Sequence, residues 1–380
     1  MIRLALPSID DRDVAQVASV LRSGRLVQGE HVAAFERAVA SRVGTAHAVA
    51  VSSGTAALHL TLLALDIGPG DEVAVPCYSW PATANVVVRV GANPVFIDIE
   101  PVTQNLDVRS LKRAASEHPR LKAVMPVHAF GGMADMAAVV NVAQERGVEI
   151  IEDAACALGA ALGGRCAGAW GKAGCFSFHP RKVVTTGEGG MITTDDRGLD
   201  ARLRELRNHG LRIAETAGEF VDAGLNYRLT DFQGALGHSQ LTKLDAFLDR
   251  RRYLAERYAV LLQGLDLQLP APVEERSSTF QTYVVLLPRE MAASRTVLIG
   301  HLRRLGVEVA IGTHHIPLTR YFRERDGYRP GDFPVTDDVA ARSLALPMHH
   351  ALSDEEQHAV ARALEHAMAD SYRSADGAGL

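Results

Sequence analysis

Lysine is scarce in this chain: five residues stand against 35 arginines among 380. Cysteine is scarcer still, four residues at 77, 156, 166 and 175 with no C-x-x-C spacing. That excludes a disulfide framework and leaves each thiol to be read first as a small buried hydrophobe. No uncharged apolar run reaches the roughly 18 residues a bilayer span needs, because Pro126, His128 and Asp135 interrupt the most apolar stretch, residues 123–143. No basic stripe accompanies the formal net charge of −5, so nucleic acid is not an expected partner. The paired histidines His314-His315 and His349-His350 are adjacent rather than four apart, a spacing that does not converge on one ion, so no metal is expected. Met1 to Pro7 is too short for a secretory signal and leads into Asp10, Asp11 and Asp13, which points to a cytoplasmic location without a membrane partner.

What the chain does hold is apolar bulk. With 47% hydrophobic and 22% charged residues it can bury a large core, organised as a large domain over 1–245 and a smaller one over 246–380. Val14 to Leu21 has helical spacing up to Gly24, and a second helix is expected from His31 to Ala40. Then the pattern alternates: helix 55–65, strand Glu72–Pro76, helix 81–90, strand Pro94–Asp98, helix 107–116, strand Lys122–Val127, helix 135–146 and strand Val148–Ile151. Strands Gly174–Phe178 and Met191–Thr194 and a helix near 199–208 follow. Strands separated by helices of this length predict an α/β architecture, a mainly parallel sheet covered on both faces, with ligands at the carboxyl ends of its strands. A long arginine-rich helical stretch, Gln233 to Leu262, leads into strand Gln281–Leu287, helix Thr296–Leu305 and a last helix capped by Ser353 with Glu356. The tail after Tyr372 is expected to be loose.

Against that frame Lys182 stands out, set between the apolar segment Gly174 to Phe178 and the turn Gly187-Glu188-Gly189-Gly190. An amine beside apolar surface loses hydration and can join a carbonyl, for which pyridoxal phosphate (PLP) is the usual partner. A lysine head in water is the alternative reading, and the residues upstream decide between them. Ser52-Ser53-Gly54-Thr55 precedes an apolar helix, where free amides and the positive helix end favour a phosphate, although an ordinary N-cap has the same pattern. Asp153 ends a strand and could face a protonated pyridine nitrogen, or merely cap Ala154-Ala155-Cys156; Glu152 points to the other face. Trp80 leaves another strand end and could stack on a planar ring or pack in the core. Ser177, five residues before Lys182, could reach the same phosphate or bond to backbone.

Ser53-Gly54-Thr55, Glu152-Asp153-Ala154-Ala155, Phe176 to Lys182 and Thr186 to Gly190 resemble the DegT/StrS-type aminotransferases of fold-type I. The likeness runs from Leu21-Arg22-Ser23-Gly24 to Leu346-Pro347-Met348-His349-His350. It implies a fold-type I large domain with a smaller C-terminal α+β domain, PLP as cofactor, and amino transfer from glutamate or glutamine to a keto sugar, nucleotide-linked, or a keto-cyclitol. Lys182 then matches the Schiff-base lysine, Asp153 the partner of the ring nitrogen, Trp80 the stacked aromatic, and Gly54, Thr55 and Ser177 the phosphate contacts. Asn226 matches a residue sent into the neighbouring subunit's site, with Arg228 as a companion contact, which implies a homodimer with shared sites. Two positions depart from the family pattern. Cys156 stands where glutamine or histidine is usual beside the cofactor, and in Gly312 to Leu318 either His314 or Pro317 faces the sugar; His314 is taken as the substrate residue. A sugar dehydratase or lyase on the same scaffold has histidine in place of the lysine, and a PLP-binding sensor would keep the pocket without substrate contacts. No G-x-G-x-x-G and no phosphate-loop lysine motif supports an oxidoreductase or a nucleotide triphosphatase.

Overall fold

The architecture follows from strands too apolar to face water on either side. In a computed structural model describing residues 1–213, 217–271, 273 and 275–376, seven strands form the central sheet. They are β1 (His47–Val51), β2 (Glu72–Pro76), β3 (Asn93–Ile97), β4 (Leu121–Val124), β5 (Glu149–Asp153), β6 (Ala173–Ser177) and β7 (Gly190–Thr194). Their order is β1-β7-β6-β5-β4-β2-β3, and β7 alone runs against the rest. Alternation divides each strand between two cores: Val73 and Val75 of β2 join one, Ala74 the other. Helices Glu30–Val43, Val108–Glu117 and Met136–Arg146 cover one face; Gly54–Ala64, Ala82–Arg89 and Arg197–Arg207 cover the opposite face. The expected alternation of helix and strand is therefore the observed one. Among the described residues no helix is long and apolar enough to cross a membrane.

Strand β1 is an addition to the sequence reading. His47-Ala-Val-Ala-Val lies at the sheet margin, and its outward polar groups are met by side chains rather than by another strand. The Ala50 amide donates to Glu36 Oε1 at 2.8 Å, while Arg204 and Arg207 donate to the Ala48 and Ala50 carbonyls at 2.9 and 2.7 Å. The same two guanidinium groups hold Glu36 at 2.8 and 2.6 Å, so the ionic cluster is neutralised where it is buried.

The stretch from Gln233 to Leu262 is two helices, Asp231–Leu241 and Leu244–Leu261, rather than one. No glycine or proline breaks it; Lys243 is drawn aside to Asp10 at 2.9 Å and Asp13 at 2.5 Å, and Gln240 reaches Asp13 at 2.7 Å. The second of these helices carries the chain into a further core with helices Arg295–Arg304 and Asp354–Asp376. Between them β8 (Tyr283–Leu286) pairs antiparallel with β9 (Ser343–Leu346), a strand the sequence reading does not contain. The start of the chain joins this core, Ile2 bridging to Val307. Ser353 and Glu356 make the expected reciprocal cap, at 3.0 and 3.1 Å. The helix extends through the first part of the tail expected to be loose, to Asp376; residues 377–380 lie outside the described ones.

Arg251 sits in this region with its guanidinium on the carbonyls of Phe280, Gln281 and Met348 at 2.9, 3.2 and 3.1 Å. Burial pushes the neighbouring His349 and His350 below the usual imidazole range, and the charge of Arg251 adds to it; His350, stacked on Phe247 at 4.1 Å, is pushed down to about 4. An unfolded chain therefore binds more protons than the folded one between the ordinary imidazole value of 6.5 and about 4. This stability is present above that window and is lost as pH falls through it. Thermal melts of the wild type are expected to drop between pH 7 and pH 5, and His350→Gln should flatten the drop; an equal slope in the variant would contradict the assignment.

Candidate active site

The site is assembled where β2, β5 and β6 end. Asp153, the last residue of β5, is buried, and its Oδ2 accepts from the Thr83 hydroxyl at 2.8 Å while Oδ1 accepts from the Ala155 amide at 3.2 Å. Burial pushes its carboxyl above the usual carboxylate range; the two hydrogen bonds and the charges of Lys182 and His128 act in the opposite direction without restoring it. A cation set against Asp153 would relieve that cost. Glu152, one residue earlier, faces the far side as strand alternation requires, bound to His128 at 3.0 Å and to the amides of Gly168, Trp170 and Gly171 at 2.8, 2.6 and 3.0 Å.

Lys182 lies in the connection between β6 and β7. That connection is a closed turn: the Phe178 carbonyl accepts from the Thr186 amide at 3.0 Å and the Thr185 hydroxyl at 2.9 Å, and Gln233 holds the Glu188 carbonyl at 2.7 Å. The Lys182 ammonium points to Cys156, Nζ to Sγ 3.1 Å, so the cysteine that departs from the family pattern is the amine's direct neighbour. Ser177 ends β6, and its Oγ is 3.4 Å from the His179 amide, a long contact that leaves the hydroxyl free to serve elsewhere.

Ser53 caps the helix Gly54–Ala64 through the Ala56 amide at 3.0 Å, so the N-cap reading of this segment holds for Ser53 itself. Gly54 begins the helix beside Ser177, and a Cβ on it would lie 2.8 Å from Ser177 Cβ. The absent side chain thus lets a helix N-terminus and a strand-end hydroxyl meet in one cradle, with Thr55 exposed at the same turn. Trp80 is 63% exposed and is not a core aromatic. His314 comes to it across a two-residue ladder, His314 against Ser79 and His315 against Tyr78, with the Trp80 and His314 rings 5.2 Å apart edge to face.

Asn226 and Arg228 stand apart from these groups. Asn226 is exposed, its backbone bridging to Asn208, and Arg228 Nη1 donates to the Asn208 side chain. Among the described residues neither hydrogen-bonds to Lys182, Asp153 or Ser177. Between them Tyr227 ties the segment to the foot of the cradle, its carbonyl accepting the Ser52 amide at 2.9 Å. Thr83 is absent from the sequence-derived set, although a hydroxyl in the first turn of the helix that follows a strand end was a findable signal. Away from the site, His301, His366 and Asp370 bring ligand-type atoms within 4.8 Å of one another on the C-terminal helices, a grouping that the adjacent histidine pairs did not suggest.

A family model described as the DegT/DnrJ/EryC1/StrS aminotransferase family matches residues 7–365. The chain belongs to that aminotransferase family. It is 35% identical over 367 residues to the GDP-perosamine synthase of Caulobacter vibrioides, covering 96% of this chain and 97% of that protein. Among solved structures, DesV of S. venezuelae is 33% identical with a TM-score of 0.88 over 96% of this chain and 99% of that one. A Streptococcus pneumoniae protein described as a sugar aminotransferase, solved in its PLP form, is 27% identical with a TM-score of 0.91 over 96% of this chain and 98% of that one. The fold is that of fold-type I, and the cofactor of this aminotransferase is PLP.

The side chains present fit that group: an amine whose side-chain partner is a thiol, a buried carboxylate short of positive charge, and a cradle that a single Cβ on Gly54 would fill. Thr83→Val keeps the shape and deletes the hydroxyl on Asp153, a hydrogen bond to a charged group worth about 1.5–3 kcal/mol. The variant apoprotein should lose stability by about that amount in denaturant unfolding; unchanged stability would contradict the contact between the Thr83 hydroxyl and Asp153.

Proposed function

We propose that this aminotransferase moves an amino group from glutamate, or glutamine, to a keto sugar carried on a nucleotide, or to a keto-cyclitol, through Lys182. What carries the reading is the amine of Lys182 and the buried carboxylate of Asp153 at neighbouring strand ends, in a chain of a family whose relatives include a GDP-perosamine synthase. PLP supplies a carbonyl that takes an amine and an electron-accepting ring that stabilises charge at the adjacent carbon.

The protein's own part is to hold and to move a proton. Lys182 would hold the cofactor carbonyl, and its amine, when free, would carry the proton at the α-carbon of the donor and of the acceptor. Asp153, whose carboxyl burial pushes up, would face the ring nitrogen, and a positive charge there would bring the carboxyl down. Gly54, Thr55 and Ser177, which meet at the helix N-terminus, would hold the phosphate, and the exposed Trp80 would cover the ring. Cys156 stays within hydrogen-bond reach of the lysine amine, a position from which it steadies Nζ when the amine is free.

His314, edge-on to Trp80, would face the keto sugar on the acceptor side; Arg228, bound to Asn208, is a substrate contact beside Asn226. Asn226 serves the partner subunit's phosphate in a homodimer with shared sites; its exposure, away from Lys182 of its own chain, supports this. The reading is completed by a cytoplasmic setting and by a division into 1–245 and 246–380, supported by the separate apolar core of the C-terminal part. A dehydratase or lyase has no support from Lys182, whose place a histidine would take.

In the loaded enzyme L-glutamate should bleach the visible band of the cofactor, and borohydride reduction should leave a single adducted peptide. With only five lysines in the chain, its assignment to Lys182 is unambiguous. Lys182→Ala should melt within a few degrees of the wild type and lose turnover by about a thousandfold or more, at the scale of a missing general acid-base group. Undiminished turnover in that variant would overturn the mechanism.

A further inference from the structure

The ladder joining Tyr78 and Ser79 to His314 and His315 accounts for backbone groups only, yet two side chains in it carry buried hydroxyls: Ser79 meets the Thr83 hydroxyl at 3.2 Å, and Tyr78 is the other. The Tyr78 ring is 1% exposed, packed edge-on to Phe130 at 6.1 Å, a place phenylalanine would fill as well. A buried hydroxyl has to be matched by partners, and here they are the Ser343 side chain and the incoming segment, whose Thr313 amide donates to the phenol oxygen at 3.2 Å. Beside it the Gly312 amide donates to Ser343 Oγ at 3.2 Å. Gly312 is the residue the contact permits, since a Cβ on it would lie 2.5 Å from that phenol oxygen. Two residues past His314, the Ile316 amide donates to the Cys77 carbonyl at 2.8 Å. The segment bearing His314 is thus pinned at both ends, at one end by side chains and at the other by backbone.

We propose that Tyr78 is a positioning residue for the acceptor substrate: its hydroxyl fixes the entry of the 312–316 segment and so sets His314 against Trp80. The proposal rests on the reading of His314 as the substrate residue and of Trp80 as the aromatic on the cofactor ring, and it names what determines the spacing between the two. Lys182, Asp153 and Ser177 make no hydrogen bond to Tyr78, so the amino-donor half of the reaction is independent of it.

The test uses PLP-loaded wild type and Tyr78→Phe. Three quantities are measured: hydrogen exchange at the amides of Thr313 and Ile316, the rate at which L-glutamate bleaches the cofactor band, and kcat and KM with UDP-, GDP- and dTDP-linked 4-keto-6-deoxyhexoses. Exchange at Thr313 should accelerate by about tenfold, the size of a lost hydrogen bond, with Ile316 unchanged. KM for the accepted sugar should rise about fivefold or more, on the same basis, with kcat and glutamate bleaching within about twofold. Unaltered exchange at Thr313 overturns the latch whatever the substrate proves to be. Faster exchange with an unaltered KM overturns its role toward the acceptor. A wild type that accepts none of the sugars overturns the nucleotide-linked keto-sugar reading and this role toward it, while the exchange result still decides the latch. Gly312→Ala provides an independent check through thermal stability. Its loss should be smaller in the Tyr78→Phe background than alone, and strictly additive losses would contradict the contact.

Discussion

Two consecutive carboxylates on one central strand face opposite ways, and the difference in how they are satisfied organises the site. A buried carboxylate is costly unless donors surround it. Glu152 has four: an imidazole and three amides, which pin the turn 168–171 beneath the sheet. Asp153 has a threonine hydroxyl and one amide, and burial still dominates its proton affinity. The strand therefore anchors a loop on one face with a saturated acid and presents an unsaturated one on the other, where a cationic ring nitrogen would complete it.

The parts legible in the sequence were those in which local pattern and chemistry coincide. β2, buried on both faces, reads as a continuous apolar run between breakers, and Asp153 and Lys182 announce themselves as polar groups at the ends of such runs. β1 was not legible because alanines replace the β-branched residues that mark a strand, and its backbone is completed by Glu36 from the preceding helix and by Arg204 and Arg207 from one far along the chain. The interruption at Thr242 and Lys243 was hidden for the same reason, being imposed by Asp10 and Asp13 rather than by a helix breaker. Trp80 shows the opposite case, where composition favours burial and position at a strand end leaves the ring exposed.

The C-terminal part is fastened to the sheet at the mouth of the site, among other places. The backbone of 314–316 joins 77–79, Gln281 holds the Arg181 carbonyl at 2.9 Å next to Lys182, and Thr279 holds the Cys156 carbonyl at 2.7 Å. The residues flanking the amine are thereby fixed from both parts of the chain. A change of a few tenths of an ångström in how the C-terminal part seats would be felt at Cys156 and Arg181, on either side of the lysine.

The ionic cluster on β1 has a consequence for how copies of this chain meet. An edge strand whose outward amides and carbonyls are vacant is a template on which another chain can crystallise its own strand. At this margin the Ala50 amide and the Ala48 and Ala50 carbonyls are already engaged by Glu36 and two arginines. Those three groups are closed to a further strand, so this margin offers a neighbouring chain an interrupted row of hydrogen bonds rather than an open one.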